Sequence, residues 1–352
     1  MEPDSRDSSA TPPNRLARRR GRRGPIPITG ARDSRTRGDP TPPCIPPPQS
    51  PQSRAHFRPG MDVTIGSLTA RDGISLFVRC YRADFHPRSR CECPTIVMVH
   101  GANEHSGRYR HVAESLVGEG WNVVLPDLRG HGRSDGVPTH AEAFNAYLSD
   151  LDRLLERFAP CPQQTILCGH SFGGLISIRY AQTRRARMRG LVLLSPLLGI
   201  NVPINPLTLV AGRLMSWLAP RVRYRNRVPP RLLTRCPARQ KQRQEDPYVH
   251  HSITAGWFFE MKRGLRAAWE QAERIDLPLL LCQAGNDHVV DPQAAVRFLE
   301  KTSSPDKMLR FYHEHYHELL NEPDWRAILA GISDWIRQRL PQAAAVRRRR
   351  CA

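Results

Sequence analysis

From about residue 62 the chain alternates short β-rich runs with segments of helical periodicity. Two of the runs, Ile96–Val99 and Leu191–Leu194, consist entirely of apolar residues, which is typical of strands buried on both faces. Strands that alternate with helices in this way form a mostly parallel sheet covered by helices on both faces. We therefore predict an α/β fold of that architecture.

The periodicity also predicts where the individual elements lie. The predicted strands are Ser75–Cys80, Thr95–Val99, Trp121–Leu125, Thr165–Cys168, Leu191–Leu194, Leu277–Cys282 and Met308–Tyr312. The predicted helices cover residues 108–118, 141–158, 172–184, 264–274, 292–301 and 323–339.

The alternation is interrupted between about residues 197 and 262, where the next strand does not follow promptly. Asn205 and Pro206 make a good helix start, as N-cap and first helical residue, and apolar residues then recur at helical spacing. These apolar residues are Leu207, Val210, Leu214 and Trp217. We predict an inserted helical cap, in which this apolar face either packs into the core or contacts substrate or membrane.

Residues 1–60 contain 13 prolines, twelve arginines and five acidic residues, with almost no apolar run that could form a core. This composition predicts a disordered extension. An alternative is that the protein starts at Met61 and that the upstream residues come from a miscalled start codon. Residues 61–341 are then the folded domain, and residues 342–352 are a basic tail.

The formal net charge is +20, but seven of these charges lie in residues 1–60 and four in Arg347–Arg350. No recognisable nucleic-acid-binding motif accompanies the rest, so we do not expect a nucleic-acid partner. A basic surface favours anionic lipid headgroups, which leaves peripheral contact with membrane lipid as an alternative.

Nine cysteines without a repeated spacing, in a chain that shows no secretion signal, indicate reduced thiols and no cysteine metal site. The residues between Gly190 and Gly212 carry no charge, but prolines and asparagines interrupt them, so we do not expect a membrane-spanning helix. We expect a cytoplasmic protein, with peripheral membrane association as an alternative. The sequence leaves its oligomeric state open.

A Gly-x-Ser-x-Gly pattern, from Gly169 to Gly173, lies directly after the predicted strand Thr165–Cys168 and directly before a helical segment. A serine on such a turn sits in a strained conformation that projects its hydroxyl above the sheet, and side chains at the glycine positions would clash. Ser171 is therefore the predicted nucleophile. The same pattern around Ser134 follows a loop and precedes Val137-Pro138, so we interpret Ser134 as a turn or capping residue.

A serine nucleophile of this kind is followed along the chain by an acid and then by a histidine, each on a loop after a later strand. Asp287 and Asp291 both follow the predicted strand Leu277–Cys282. Asp291 precedes Pro292 and a helical run, which is the arrangement of a helix N-cap. Asp287 is therefore the predicted acid.

Histidines occupy positions 313, 315 and 317 after the last predicted strand. His317 is the last of them before the final helix, where a loop can swing its imidazole toward the serine, so we assign it as the general base. Neutral His317 would accept the Ser171 proton and later protonate the leaving alcohol. Asp287 would fix its tautomer and stabilise the imidazolium.

The developing oxyanion needs two backbone N–H donors, one from the residue after the nucleophile and one from the loop after the third strand. Phe172 follows Ser171 directly, and Ala102 lies in the loop His100–Tyr109. These two residues are the predicted donors.

Five segments together resemble the monoacylglycerol lipases and related lysophospholipases, also classed as serine aminopeptidases, of the α/β-hydrolase fold. The segments are His100–Tyr109, Asp127–Ser134, Gly169–Gly174, Gly285–Val290 and His317–Glu322. The resemblance covers about residues 61–340, and the pairs Glu104-His105 and Arg108-Tyr109 are its most discriminating part.

The chain departs from the family pattern at three places. Asn103 stands where glycine is common, and Glu314 stands where a glycine usually precedes the catalytic histidine by three. The cap is unusually rich in arginine between Arg221 and Arg243.

The resemblance implies hydrolysis of a monoacylglycerol or a lysophospholipid through an acyl-enzyme on Ser171, without a metal or an organic cofactor. One alternative is an acyltransferase or a peptidase with the same triad. Another is a non-catalytic binding protein built on the same fold, although a binding role does not need the triad or the oxyanion donors.

Overall fold

The computed structural model describes residues 28–30, 61–83, 94–184, 188–201, 205–226 and 228–340. A central sheet of nine strands dominates the described residues. Its strands are β1 (Ile28–Gly30), β2 (Met61–Thr69), β3 (Ser75–Ala83), β4 (Thr95–Val99), β5 (Asn122–Pro126), β6 (Thr165–His170), β7 (Gly190–Leu194), β10 (Leu279–Ala284) and β11 (Lys307–Tyr312). A separate two-stranded ribbon consists of β8 (Arg223–Arg225) and β9 (Ser252–Thr254).

The strand order in the sheet is β1-β11-β10-β7-β6-β4-β5-β3-β2. In this order, every neighbouring pair between β1 at the edge and β5 is parallel. The remaining pairs, β5–β3 and β3–β2, are antiparallel. The prediction of a mostly parallel sheet is confirmed.

Helices cover both faces of this sheet. The helices are α1 (Arg110–Gly118), α2 (Asn145–Phe158), α3 (Ser171–Thr183), α4 (Pro206–Leu218), α5 (Pro237–Glu245), α6 (Ala255–Glu270), α7 (Pro292–Lys301) and α8 (Trp325–Arg339). On β4, Val97 and Val99 belong to the core under α2, α3 and α7, whereas Ile96 and Met98 belong to the core under α1 and α8. Alternate strand residues therefore fill two separate cores, as the unbroken apolar runs predicted.

β1 extends the edge of the sheet by pairing with β11 in parallel, with Ile28 opposite Leu309 and Gly30 opposite Phe311. This strand lies within residues 1–60, for which the composition predicts a disordered extension. An edge strand presents unpaired backbone N–H and C=O groups, and the β-branched residues Ile28 and Thr29 suit a strand that satisfies them. The rest of the predicted extension, residues 1–27 and 31–60, lies outside the described residues, as does the predicted basic tail.

The region predicted as a cap contains α4, the β8–β9 ribbon and α5. The side chain of Asn205 accepts a hydrogen bond from the Leu207 N–H at 2.8 Å, and Pro206 is the first residue of α4, as predicted. The helix predicted at 264–274 begins earlier, at Ala255. The Thr254 hydroxyl caps it by accepting from the Trp257 N–H at 3.1 Å.

The apolar face of α4 is exposed to solvent. The exposed fractions of Leu207, Val210, Leu214 and Trp217 lie between 56% and 80%. The alternative that this face packs into the core is therefore wrong. None of the described helices combines the length and apolar character that crossing a bilayer requires.

Cys80, Cys168 and Cys282 are buried free thiols, but Cys161 and Cys236 each form a disulfide bond. The prediction of reduced thiols is wrong for these two. A disulfide requires particular distances between the cysteines in the folded chain, which sequence spacing does not reveal.

Candidate active site

Ser171 lies on the turn between β6 and α3 and has a φ of 51°. This left-handed conformation is strained for a residue with a side chain. A Cβ on Gly173 would lie 2.3 Å from the carbonyl oxygens of Val99 and His100, and a Cβ on Gly169 would lie 2.5 Å from the Gly173 carbonyl oxygen. Both positions therefore require glycine for the steric reason that the pattern predicted.

Asp287 and His317 form a buried pair on the loops after β10 and β11. His317 Nδ1 donates to Asp287 Oδ2 at 2.7 Å, and the two side chains are 3% and 0% exposed. Asp287 Oδ1 accepts from the N–H groups of Val289 at 2.8 Å and Val290 at 3.0 Å. The carboxylate therefore fixes the tautomer of the ring and leaves Nε2 as the basic nitrogen.

Asp287 and His317 shift each other's pKa values. Burial opposes the charged imidazolium, but the charge of Asp287 and the hydrogen bond to it raise the pKa of His317. Burial likewise opposes the charged carboxylate, but His317 and the two backbone N–H donors lower the pKa of Asp287. Asp287 is therefore ionised at neutral pH, as an orienting acid must be.

The histidine loop lies against the serine turn. The ring of His170, which precedes Ser171, lies 4.8 Å from the ring of His317 between centroids. His170 Nε2 also lies 3.3 Å from the main-chain carbonyl oxygen of His317. The structure thus brings together the three segments that carry the predicted nucleophile, acid and base.

The competing serine and aspartate have structural partners elsewhere. Asp291 caps α7 by accepting from the Gln293 N–H at 2.9 Å, as predicted. The Ser134 hydroxyl accepts from the Phe77 N–H at 2.8 Å and donates to the Asp127 carbonyl oxygen at 2.7 Å. Ser134 therefore ties a turn to β3, which agrees with its interpretation as a turn residue.

The other two histidines have different surroundings. His315 Nε2 lies 2.9 Å from Asp324 Oδ2, and His313 is exposed. His315, Glu322 and Asp324 also have donor atoms within 4.8 Å of one another, a spacing that suits a metal ion. Arg235 already places a cation there, since its Nε donates to Glu322 Oε2 at 2.5 Å. The group is therefore explained as an ion-pair cluster.

The predicted oxyanion donors lie at two converging backbone segments. Phe172 is in the first turn of α3, where N–H groups have no acceptor within the helix. Ala102 follows Gly101, and a Cβ on Gly101 would lie 3.2 Å from Ser171 Cβ. The φ of Asn103 is 59°, a left-handed conformation that asparagine tolerates. Asn103 therefore adopts the left-handed turn for which glycine is common at this position.

Glu104 holds this loop in place. Its Oε1 accepts from the Gly101 N–H at 2.6 Å and from the Tyr109 hydroxyl at 2.8 Å, and lies 3.0 Å from His170 Nδ1. Its Oε2 accepts from Arg108 Nε at 3.1 Å. Burial opposes the charged carboxylate, but His170 and Arg108 hold the pKa of Glu104 well below its usual range. These contacts give a physical role to Glu104, Arg108 and Tyr109 of the two discriminating pairs.

The same network reaches the cap. Arg108 Nη2 donates to Glu318 Oε2, and Glu318 directly follows His317. Arg243 of α5 donates to Glu318 Oε1 at 3.3 Å. Sequence reasoning missed Glu318 and Arg243, because their partners are 75 to 210 residues away along the chain.

Comparison with known proteins identifies the family of the chain. Residues 91–324 match the family described as serine aminopeptidase, S33. The chain is 29% identical over 231 residues to the phospholipase YtpA of Bacillus subtilis. The aligned residues cover 65% of this chain and 89% of the relative. The chain is 28% identical over 274 residues to a monoacylglycerol lipase of Mycolicibacterium smegmatis, covering 77% and 95% of the two chains.

A longer relative and a solved structure extend the comparison. An uncharacterized abhydrolase domain-containing protein of Dictyostelium discoideum is 30% identical over 285 residues, which span 80% of this chain but 30% of that protein. The crystal structure of Paleococcus ferrophilus monoacylglycerol lipase superposes with a TM-score of 0.66 at 28% identity, covering 79% of this chain and 99% of that one. The chain therefore belongs to the serine aminopeptidase S33 family of α/β hydrolases and is an ester hydrolase of the lipase and esterase type.

Proposed function

We propose that this protein hydrolyses carboxylic esters of single-chain lipids through an acyl-enzyme on Ser171. The observation that carries the proposal is the buried pair of His317 and Asp287 against the turn that bears Ser171. A charged Asp287 keeps the Nδ1 proton on His317, so that Nε2 accepts the serine proton during attack.

The reaction then proceeds in two acyl-transfer steps. The Ser171 oxygen attacks the ester carbon, and the N–H groups of Ala102 and Phe172 stabilise the oxyanion that develops. His317 returns its proton to the leaving alcohol, and the acyl-enzyme remains. Water, activated by His317, attacks the acyl-enzyme and releases the fatty acid and free Ser171.

For the substrate we propose a monoacylglycerol or a lysophospholipid. Relatives of this chain are named as a monoacylglycerol lipase and as a phospholipase, which supports both headgroups. An acyltransferase or a peptidase would use the same residues and would differ in the acceptor or in the bond attacked.

The test begins with a fluorophosphonate probe that labels activated serines, applied to the wild type and to Ser171→Ala. We expect labelling of the wild type alone. Hydrolysis is then measured on monoacylglycerols, lysophospholipids, short aryl esters and peptide amides, with and without an added alcohol acceptor. Labelling that persists in folded Ser171→Ala, or cleavage of amides in preference to esters, would contradict the proposal.

We also propose that α4 contacts the lipid surface from which the substrate comes. Its exposed apolar face is accompanied by exposed arginines at positions 213, 223 and 225, a combination that suits an anionic lipid surface. Changing both Leu214 and Trp217 to serine should reduce activity on long-chain esters in vesicles containing anionic lipid. Thermal stability and short aryl ester hydrolysis should stay unchanged, and equal losses on both substrates would contradict this role.

A further inference from the structure

A short segment of the cap, residues 233–243, is bound directly to the loop that follows His317. Three backbone and side-chain hydrogen bonds of 2.8 Å join them: Glu318 N–H to the Leu233 carbonyl oxygen, the Thr234 hydroxyl to the Asn321 carbonyl oxygen, and Arg235 N–H to Glu322 Oε1. This part of the cap is therefore attached to the α/β domain at the histidine loop.

Buried charges reinforce this attachment. The exposed fractions of Arg108, Arg243 and Glu318 are 2%, 8% and 3%. Burial opposes the charge on Glu318, but Arg108 and Arg243 lower its pKa, so the carboxylate is ionised. Glu318 Oε1 accepts from Arg243, whereas Oε2 accepts from Arg108 and, at 3.0 Å, from Asn321 Nδ2. Loss of Arg243 removes the cationic partner of Oε1, which costs free energy unless the carboxylate moves. Since Glu318 directly follows His317 in the chain, we expect such a movement to shift the imidazole.

We infer that Arg243 of α5 is a positioning residue for His317 and acts through Glu318. The inference rests on the proposed function, in which His317 is the general base. It assigns the cap a part in orienting the catalytic histidine, in addition to any contact that the cap makes with the substrate.

The charged and titratable groups around His317 determine the sign of a pH effect. They are Asp287 from the loop after β10, Glu104 and Arg108 from the loop after β4 and its continuation, His170 from β6, Glu318 from its own loop and Arg243 from α5. Without Arg243, the negative charge of Glu318 is neutralised less completely. The imidazolium becomes more favourable, so the pKa of His317 rises.

The test compares Arg243→Met, Arg243→Lys and Lys241→Gln on a short aryl ester that is too small to depend on the cap for binding. For Arg243→Met we expect kcat to fall about 10- to 100-fold with KM changed by less than about threefold, because misplacement by about 1 Å can have this effect. The acid limb of kcat/KM should move to higher pH. Arg243→Lys should recover part of kcat.

Lys241→Gln is the control, since it removes one positive charge from an exposed position on the same helix. It should behave as the wild type. A wild-type kcat and pH profile in folded Arg243→Met would overturn the inference.

Hydrogen–deuterium exchange tests the positioning without catalysis. Peptides covering residues 315–322 should exchange faster in Arg243→Met than in the wild type, whereas peptides covering 285–291 should not. Unchanged exchange at 315–322 would also overturn the inference. If the wild type neither labels nor hydrolyses esters, the proposed function fails, and exchange alone decides whether Arg243 positions the loop.

Discussion

His317 and His315 offer a matched pair of substitutions, since both are buried and each bonds a carboxylate within 3 Å. We expect His317→Ala to lower kcat by on the order of 10⁴ to 10⁶, because the base acts as a unit with the nucleophile and the acid. At about 1.4 kcal/mol for each factor of ten, this is a loss of about 6 to 8 kcal/mol of transition-state stabilisation.

We expect His317→Ala and His315→Ala to lower the free energy of unfolding by similar amounts. His317→Ala leaves Asp287 without its imidazole partner but with two backbone N–H donors. His315→Ala leaves Asp324, whose side chain is 22% exposed and which has Arg235 at 3.8 Å. Removal of one hydrogen-bonding partner from a buried group costs about 1 to 3 kcal/mol, so both variants should remain folded. His315→Ala should keep kcat within a modest factor of the wild type.

The assay is turnover of a short aryl ester, with the folded fraction and the melting temperature of each variant measured by circular dichroism. A large difference in kcat between two variants of similar stability locates the general base. Lost turnover in His315→Ala, together with retained turnover in folded His317→Ala, would refute the assignment.

Three further substitutions test other parts of the site. Gly173→Ala should destabilise the protein by at least about 1 to 3 kcal/mol in chemical denaturation, because the alanine Cβ would lie 2.3 Å from two carbonyl oxygens. Gly118→Ala is the control and should not destabilise the protein, because its added Cβ would have no neighbouring atom within 4 Å. Asp291→Ala should cost about 0.5 to 2 kcal/mol as a lost helix cap and leave most esterase activity. Asp287→Asn should reduce kcat about 10⁴-fold and move the acid limb of kcat/KM to lower pH, because the charge that raises the pKa of His317 is lost. An acid limb that stays in place would show that another group controls this ionisation.

The sheet was predictable from sequence because two of its inner strands contain unbroken apolar runs. Leu191–Leu194 and Ile96–Val99 fall inside β7 and β4, since strands buried on both faces have no polar alternation to obscure them. β1 was missed because three residues are too few to show any periodicity. The start of α6 was missed because Thr254 is recognisable as a cap only when its contact with the Trp257 N–H is seen.

The candidate site divides in a similar way. Ser171 and Asp287 were assigned from their positions after strands, and the structure places them after β6 and β10. The choice of His317 over His315 gains support from Asp324, whose contact with His315 depends on how the loop folds. Arg243 could not have been assigned, because nothing local distinguishes it from the exposed arginines of the same cap. Its burial and its distance from Glu318 arise only in the folded chain.

The hydrogen bonds between residues 233–243 and the loop after His317 bear on the construction of chimeric enzymes from members of this family. A graft that replaces the whole insertion would remove Arg243 together with the exposed apolar helix α4. If Arg243 positions His317 as we infer, such a graft would confound altered selectivity with a misaligned base. Crossover points placed before α4 and between α4 and β8 would transfer the apolar helix alone and keep β8 with its partner β9. The stretch from Leu233 to Asp246, which also bonds His105 at 2.8 Å, should then remain with its native scaffold.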